Sequence, residues 1–293
     1  MSVPIQGRAR RTIVDLSTRG GTMAGLEFGP TDRPVEVLFL HANGFNAATY
    51  SSILAPLAVT HRILAVDQRG HGLTRLPTVI EGRRSWYDLR DDLLALMDAL
   101  DLRNLVLAGH SMGGTASILA SAWAPARVRR LVMFDPVVLS PQMVAASRAG
   151  SAIESPLVSG ALRRRAVFSS RAAAQEAYQG RGAFKAWTPT MLTDYLADGL
   201  VERADGELEL SCAPAWEASN YTAQDHDPWA AFPAISAPID IYRAEQGSTF
   251  RVEDPASDLA AYGNITVETV PCTTHFLPME RPDLVVSALR GAL

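Results

Sequence analysis

Cysteine is scarce: the 293 residues hold two, Cys212 and Cys272. Two cysteines so far apart give no disulfide framework and no CxxC zinc spacing, so both are expected to be buried and unreactive. Lysine is scarcer, with Lys185 alone among 27 basic residues, a bias toward arginine rather than a functional signal. Long basic runs are missing too. The longest, Arg163-Arg164-Arg165, reads as a solvated helix face, and a formal net charge of -4 argues against nucleic acid as a partner. No apolar run approaches the ~18 residues that a membrane-spanning helix needs. The opening MSVPIQGRARRTIVDLS lacks the apolar stretch of a secretory signal, so a cytoplasmic location is expected. Neither repeats nor low-complexity segments occur. With 47% hydrophobic and 20% charged residues, the chain is too apolar to be disordered.

What is present is an alternation of short β-branched runs with helical periods, the mark of parallel βαβ units. A first antiparallel pair, Arg11 to Leu16 and Thr22 to Phe28, is expected to turn at Gly20-Gly21. Buried strands are expected at Val35 to His41, Ile63 to Asp67, Leu105 to Ser111, Leu131 to Asp135, Ile239 to Tyr242 and Ile265 to Val270. Ser85 is expected to cap a helix with Trp86, Leu89, Leu93, Leu96, Met97 and Leu100 on one face. Pro282 to Leu293 reads as a terminal helix with proline in its first turn. From about Leu139 to Pro238 the alternation stops. Alanine-rich helical patterns, a possible hairpin at Asp205-Gly206 and scattered prolines suggest an inserted, mainly helical cap.

The most informative segment runs from Leu105 to Gly114, an apolar strand that ends in Gly-His-Ser-Met-Gly and passes at once into a helix-forming stretch. G-x-S-x-G in that context is a nucleophile elbow, a bend that presents the Ser111 hydroxyl above the sheet edge. The helix N-terminus after it offers free N–H groups and a positive dipole end, which makes the Met112 N–H one candidate oxyanion donor. A second donor is expected from His41-Ala42-Asn43-Gly44-Phe45, where a strand runs into a small-residue loop. The Asn43 backbone N–H is placed first, with its side-chain amide as a further possibility.

In their order along the chain, HANGF, the turn Asp67-Gln68-Arg69-Gly70-His71-Gly72, GHSMGG, an insertion and a late histidine resemble the α/β-hydrolase fold superfamily from about Val35 onward. The loop reads His-Ala-Asn-Gly where His-Gly is commoner. The resemblance implies an α/β fold with a mostly parallel eight-stranded sheet flanked by helices and a helical cap after the sixth strand. It also implies a core of residues 1–138 and 237–293 with a cap or lid at 139–236. The triad histidine of the family falls on His275, in Thr273-Thr274-His275-Phe276 before the terminal helix. His41 and His110, beside the expected oxyanion site, are read as supporting or packing residues.

The acid has two candidates. The usual family position falls near Gly247, which has no side chain to serve, and leaves Glu245 nearby. Some members carry the acid one strand earlier, where this sequence has Asp135. One helix plus one strand separates Ser111 from Asp135, so the two would end neighbouring parallel strands on the same sheet edge. Asp135 is placed first and Glu245 second.

The parts suit a serine hydrolase acting on a small to medium acyl substrate, a carboxylic ester in the first place. C–C bond hydrolysis, lactone opening, acyl transfer and perhydrolysis use the same parts, and a non-catalytic ligand-binding protein of this fold is a further alternative. Serine at position 111 excludes an aspartate nucleophile. No metal or organic cofactor is expected, because the histidines are scattered and no GxGxxG loop occurs. The expected partner is a small-molecule acyl substrate, with the chain a monomer or homodimer. Phe184, Trp187, Tyr195, Trp216, Tyr221 and Trp229 are expected either to roof the substrate or to form the core of the cap itself.

Overall fold

Val37-Leu38-Phe39-Leu40 is apolar at every position, and a strand of that kind is stable only where a sheet is covered on both faces. The computed structural model, which describes residues 9–149 and 155–293, places all four residues in the interior of such a sheet. Residues 1–8, the start of the segment read above for a leader, and 150–154 of the insertion lie outside the described residues.

Eight strands form the main sheet: β1 Arg10–Leu16, β2 Gly21–Phe28, β3 Val37–Leu40, β4 Ile63–Val66, β5 Leu105–His110, β6 Val128–Phe134 and, after an insertion that contains three short strands, β10 Ile239–Ala244 and β11 Ile265–Val270. The short strands are β7 Val167–Phe168, β8 Leu200–Glu202 and β9 Leu208–Leu210. The main order is β1-β2-β4-β3-β5-β6-β10-β11, with β1 and β2 antiparallel and every pair from β4 to β11 parallel. This is the α/β-hydrolase fold. Two apolar clusters, one on each sheet face, bury the strands beneath flanking helices.

Local departures from the expected elements have plain causes. The first hairpin turns through a 3-10 turn, Ser17–Arg19, and Gly20 at φ 90°, so Gly21 is already paired with Leu16. Ser85 caps nothing firmly; the helix spans Tyr87–Ala99, with Trp86 in the capping position and the Ser85 hydroxyl a marginal 3.5 Å from Tyr87 N. β6 begins at Val128, three residues before the expected start, because Arg129 and Arg130 keep their charged ends outward on the strand. Cys212 is buried, whereas Cys272 is exposed, at φ 56° in the turn after β11.

Prolines in the insertion start helices rather than break them. Ser140-Pro141, Ser155-Pro156, Thr188-Pro189 and Asp227-Pro228 each pair a capping side chain with proline at the first helical position. Such a cap is worth about 1 kcal/mol, and proline there forfeits no hydrogen bond. The hairpin at Asp205-Gly206 joins β8 to β9, and Val167–Phe168 adds a third strand that the helical pattern did not suggest. Arg164 leaves the solvated face expected of it and turns inward, onto Glu217 and the hydroxyl of Tyr195. Among the described residues, no helix is long and apolar enough to cross a membrane.

Candidate active site

Three backbone features bring the candidate residues to one sheet edge. Ser111 follows β5 at φ 55° and ψ −121°, in the left-handed region that side chains seldom occupy, and the helix Met112–Trp123 starts at the next residue. Such strain persists only where the surroundings enforce it. Here they do: a Cβ on Gly109 would sit 2.6 Å from the Gly113 carbonyl carbon, and one on Gly113 would sit 2.4 Å from the Leu40 carbonyl oxygen. The bend is therefore as tight as the two flanking glycines allow. In the β5–β6 register His110 lies opposite Phe134, so Ser111 and Asp135 are the next residues out on adjacent strands.

The loop after β11 carries His275 to the same edge. Its Nε2 lies 2.9 Å from Ser111 Oγ, and its Nδ1 lies 2.6 Å from Asp135 Oδ2. Asp135 is fully buried and receives four further donors: the Ala244 amide at 2.9 Å, the Ser248 hydroxyl at 2.5 Å, and the Thr249 amide and hydroxyl at 3.0 and 3.3 Å. Burial alone would raise its carboxyl. The hydrogen bond and charge of His275, aided by Ser248 and Ala244, outweigh that and hold it below the ordinary carboxylate range.

Glu245 is elsewhere. Its carboxylate accepts the Cys272 amide at 3.0 Å, and Glu280 accepts the amide and hydroxyl of Thr274, so two acids brace the loop just before His275. At the position beside Gly247, the hydroxyls of Ser248 and Thr249 hold the acid supplied by the neighbouring strand. The sequence reading missed both; their place in Gln246-Gly247-Ser248-Thr249, right after β10, is the signal that could have found them.

In the loop after β3, three of four consecutive amides are spoken for. Ala42 N donates to the Tyr50 hydroxyl (3.2 Å), Gly44 N to His71 Nε2 (3.0 Å) and Phe45 N to the Ala42 carbonyl (3.1 Å). The Asn43 and Met112 amides meet no protein acceptor among the described residues. The Asn43 side chain, a second candidate donor in the sequence, is occupied. Its Nδ2 donates to the Glu217 carbonyl at 3.0 Å, and its Oδ1 accepts from Asn220 Nδ2 at 2.8 Å.

His41 steadies this loop. Its Nδ1 lies 2.8 Å from the Ala42 carbonyl and its Nε2 accepts the Gln68 amide, which fixes an Nδ1–H tautomer. Burial, with His71 close by, holds His41 well below the usual imidazole range, and burial pushes His71 down to about 4. Both rings are neutral spacers at neutral pH.

The aromatic residues of the insertion divide. Trp187 and Tyr195 meet Phe45 edge-on at ring separations of 5.1 and 5.9 Å, and Phe184 packs on both. Phe45 also faces Phe276, next to His275. Trp216 instead anchors the insertion, donating to the Arg69 carbonyl at 2.9 Å, while Trp229 bonds within it, to the Leu139 carbonyl at 2.8 Å. Among the described residues, no group of three or more His, Cys, Asp or Glu side chains is arranged to hold a metal ion.

Comparison with known proteins bears on the fold and the family. A 2-(acetamidomethylene)succinate hydrolase of Mesorhizobium japonicum is 25% identical over 256 residues, which cover 86% of each chain. A 2-hydroxy-6-oxo-2,4-heptadienoate hydrolase of Pseudomonas putida is 32% identical over 123 residues, 41% of this chain and 44% of its own. The crystal structure of an E-2-(acetamidomethylene)succinate hydrolase superposes with a TM-score of 0.78 over 97% of this chain and 98% of that one, at 23% identity, a likeness of fold. The model of the alpha/beta hydrolase family matches residues 37–288, and the chain belongs to that family.

Proposed function

We propose that this hydrolase cleaves small to medium acyl substrates, carboxylic esters in the first place, with Ser111 as nucleophile, His275 as general base and acid, and Asp135 as the acid that orients it. The reading rests on one observation, the unbroken line from Ser111 Oγ through both nitrogens of His275 to Asp135. A serine hydroxyl is a poor nucleophile until an imidazole takes its proton, and a carboxylate on the far nitrogen fixes the tautomer that can do so.

The steps balance without a cofactor. Ser111 Oγ attacks the acyl carbon as its proton passes to His275 Nε2. The carbonyl oxygen, now negative, lies between the amides of Asn43 and Met112, each worth about 3 kcal/mol in such a role. The tetrahedral species collapses, the bond to the leaving group breaks, and His275 hands its proton to that group. Water then attacks the acyl-enzyme by the same route and releases the acid. The insertion acts as a cap in this scheme, since Trp187 and Tyr195 reach Phe45, and Glu217 and Asn220 hold the Asn43 side chain.

A second reading has a specific observation behind it. The relative that matches 86% of the chain is named for hydrolysis of 2-(acetamidomethylene)succinate, which favours an acetamido-type acyl bond as the alternative to an ester. Labelling with a fluorophosphonate, followed by assay on p-nitrophenyl esters and on acetamido acids, separates the two. One label per chain, lost in Ser111→Ala, is expected. An unlabelled wild-type protein overturns the serine mechanism, and labelling without ester turnover transfers the assignment to the second reading.

A further inference from the structure

The residue before the nucleophile has partners that none of the steps above uses. His110 is fully buried at the end of β5, and its Nε2 lies 2.7 Å from the main-chain carbonyl of His275. A carbonyl only accepts, so Nε2 carries the hydrogen and Nδ1 is left with a lone pair. That lone pair faces the Tyr50 hydroxyl at 2.8 Å, which must then be the donor. The same hydroxyl oxygen accepts the Ala42 amide, one residue before Asn43. Every hydrogen in the series is thereby directed: Ala42 N–H to Tyr50 Oη, Tyr50 O–H to His110 Nδ1, His110 Nε2–H to His275 O.

We infer that Tyr50 and His110 are positioning residues for the hydrolysis, a relay that fixes the His275 main chain, the strand bearing Ser111 and the loop bearing Asn43 in one mutual register. The inference rests on the proposed triad.

The chemistry of the three groups favours this role over packing alone. Phe39 packs against the Tyr50 ring, with centroids 4.7 Å apart, so a phenylalanine at position 50 would fill the same space. What it could not do is satisfy a buried amide and a buried imidazole nitrogen together, and an unmet polar group in the interior is costly. The His110 and His275 rings stand 5.1 Å apart, close enough for a charge on one to oppose a charge on the other. Burial first, and His275 second, push His110 down to about 3, so its lone pair on Nδ1 survives while His275 carries the proton during turnover. A relay that kept its pattern only in the resting state could not hold the base in place through the reaction; this one can.

Two variants separate register from bulk. His110→Gln keeps a donor and an acceptor on one side chain, whereas His110→Leu keeps neither. With turnover referred to the sites titrated by fluorophosphonate, His110→Leu is expected to lower kcat by ~10–100-fold, the range for a displacement of about 1 Å, with KM within about twofold. His110→Gln recovers most of that loss. Tyr50→Phe is expected to lower kcat by about tenfold, and the Tyr50→Phe/His110→Leu pair is no worse than His110→Leu alone, because residues of one chain act as a unit. Nitrogen-15 NMR of the wild-type imidazoles needs no substrate and is expected to find His110 as the Nε2–H tautomer.

The relay is overturned by a His110→Leu kcat per titrated site equal to wild type, by His110→Gln as impaired as His110→Leu, or by an Nδ1–H tautomer at His110. If His110→Leu does not fold, full activity in Tyr50→Phe overturns it. A wild-type protein that takes no label at Ser111 defeats the proposed function instead, while the tautomer still reports on the relay.

Discussion

The hydroxyl of Ser248 donates to Oδ1 of Asp135 at 2.5 Å, so the loop after β10 furnishes a donor to an acid that belongs to β6. That relationship favours Asp135 over Glu245, the two acids the sequence offered. Asp135 is surrounded by donors and touches His275, while Glu245 spends its carboxylate on the Cys272 amide. Asp135→Asn is expected to lower turnover by roughly 10⁴-fold, because an amide facing Nδ1 favours the wrong tautomer. Glu245→Gln keeps an acceptor for Cys272 and is expected to retain near-normal turnover. Steady-state assay of both folded variants checks this, and the reverse order of damage would reassign the acid.

Asp67 makes a prediction about pH. The side chain is fully buried, with Oδ1 accepting the Ala47 amide at 2.8 Å and Oδ2 the Leu73 amide at 2.9 Å. Burial pushes its carboxyl up to about 7, against the partial restraint of those two amides. The folded value thus lies above the unfolded one near 4, so between about pH 4 and about pH 7 the folded chain holds a proton that the unfolded chain has released. Stability must fall as pH rises through that window and level off above it. Relative to Asp67→Asn, the wild type is expected to lose a few kcal/mol between about pH 4 and about pH 8, read from urea unfolding. A difference between the two proteins that stays constant across that range refutes the assignment.

The elbow can be tested by volume alone. A methyl group at Gly113 would meet the Leu40 and His41 carbonyl oxygens at 2.4 and 2.6 Å, and both belong to main chain that cannot step aside as a side chain would. Gly113→Ala is expected to cost about 1–3 kcal/mol, the usual range for overpacking, and to slow fluorophosphonate labelling by pushing Met112 away from the loop after β3. Equal stability and equal labelling in this variant would mean that the turn is looser than its glycines imply.

How far the sequence could be read follows from which signals are local. The strand Ile265–Val270 and the register of Ser111 with Asp135 come from apolar runs and from the length of one helix plus one strand, both visible without coordinates. Tyr50 was invisible. It sits among Asn46-Ala47-Ala48-Thr49 in a 3-10 turn with no motif, and its role arises from contacts with Ala42 and with His110, 60 positions away. Arg164 misled for a similar reason. Three adjacent arginines look like a wet surface, but only the tertiary fold brings Glu217 and Tyr195 within reach of the middle one. The Asn43 side chain, judged by its loop alone, looked free to help an oxyanion; the helix Pro214–Thr222 claims both of its polar atoms.

That claim yields a last prediction. Asn220 is fully buried, and its amide is divided between two partners: Nδ2 donates to Asn43 Oδ1 at 2.8 Å, and Oδ1 accepts from Arg83 Nη1 at 2.8 Å. If holding the Asn43 side chain aims its backbone N–H at the oxyanion, the residue that holds it contributes to turnover without touching substrate. Asn220→Ala leaves Asn43 Oδ1 unpaired and is expected to lower kcat by about tenfold, a fraction of the ~3 kcal/mol that a fully lost oxyanion donor costs. Asn220→Asp discriminates the cause. A carboxylate strengthens the bond to Arg83 yet has no hydrogen for Asn43, so stability is expected to hold while kcat falls as far as in the alanine variant. Were Asn220→Asp to keep full activity, the contact that matters would be the one to Arg83, and the insertion would support the sheet without setting the oxyanion loop.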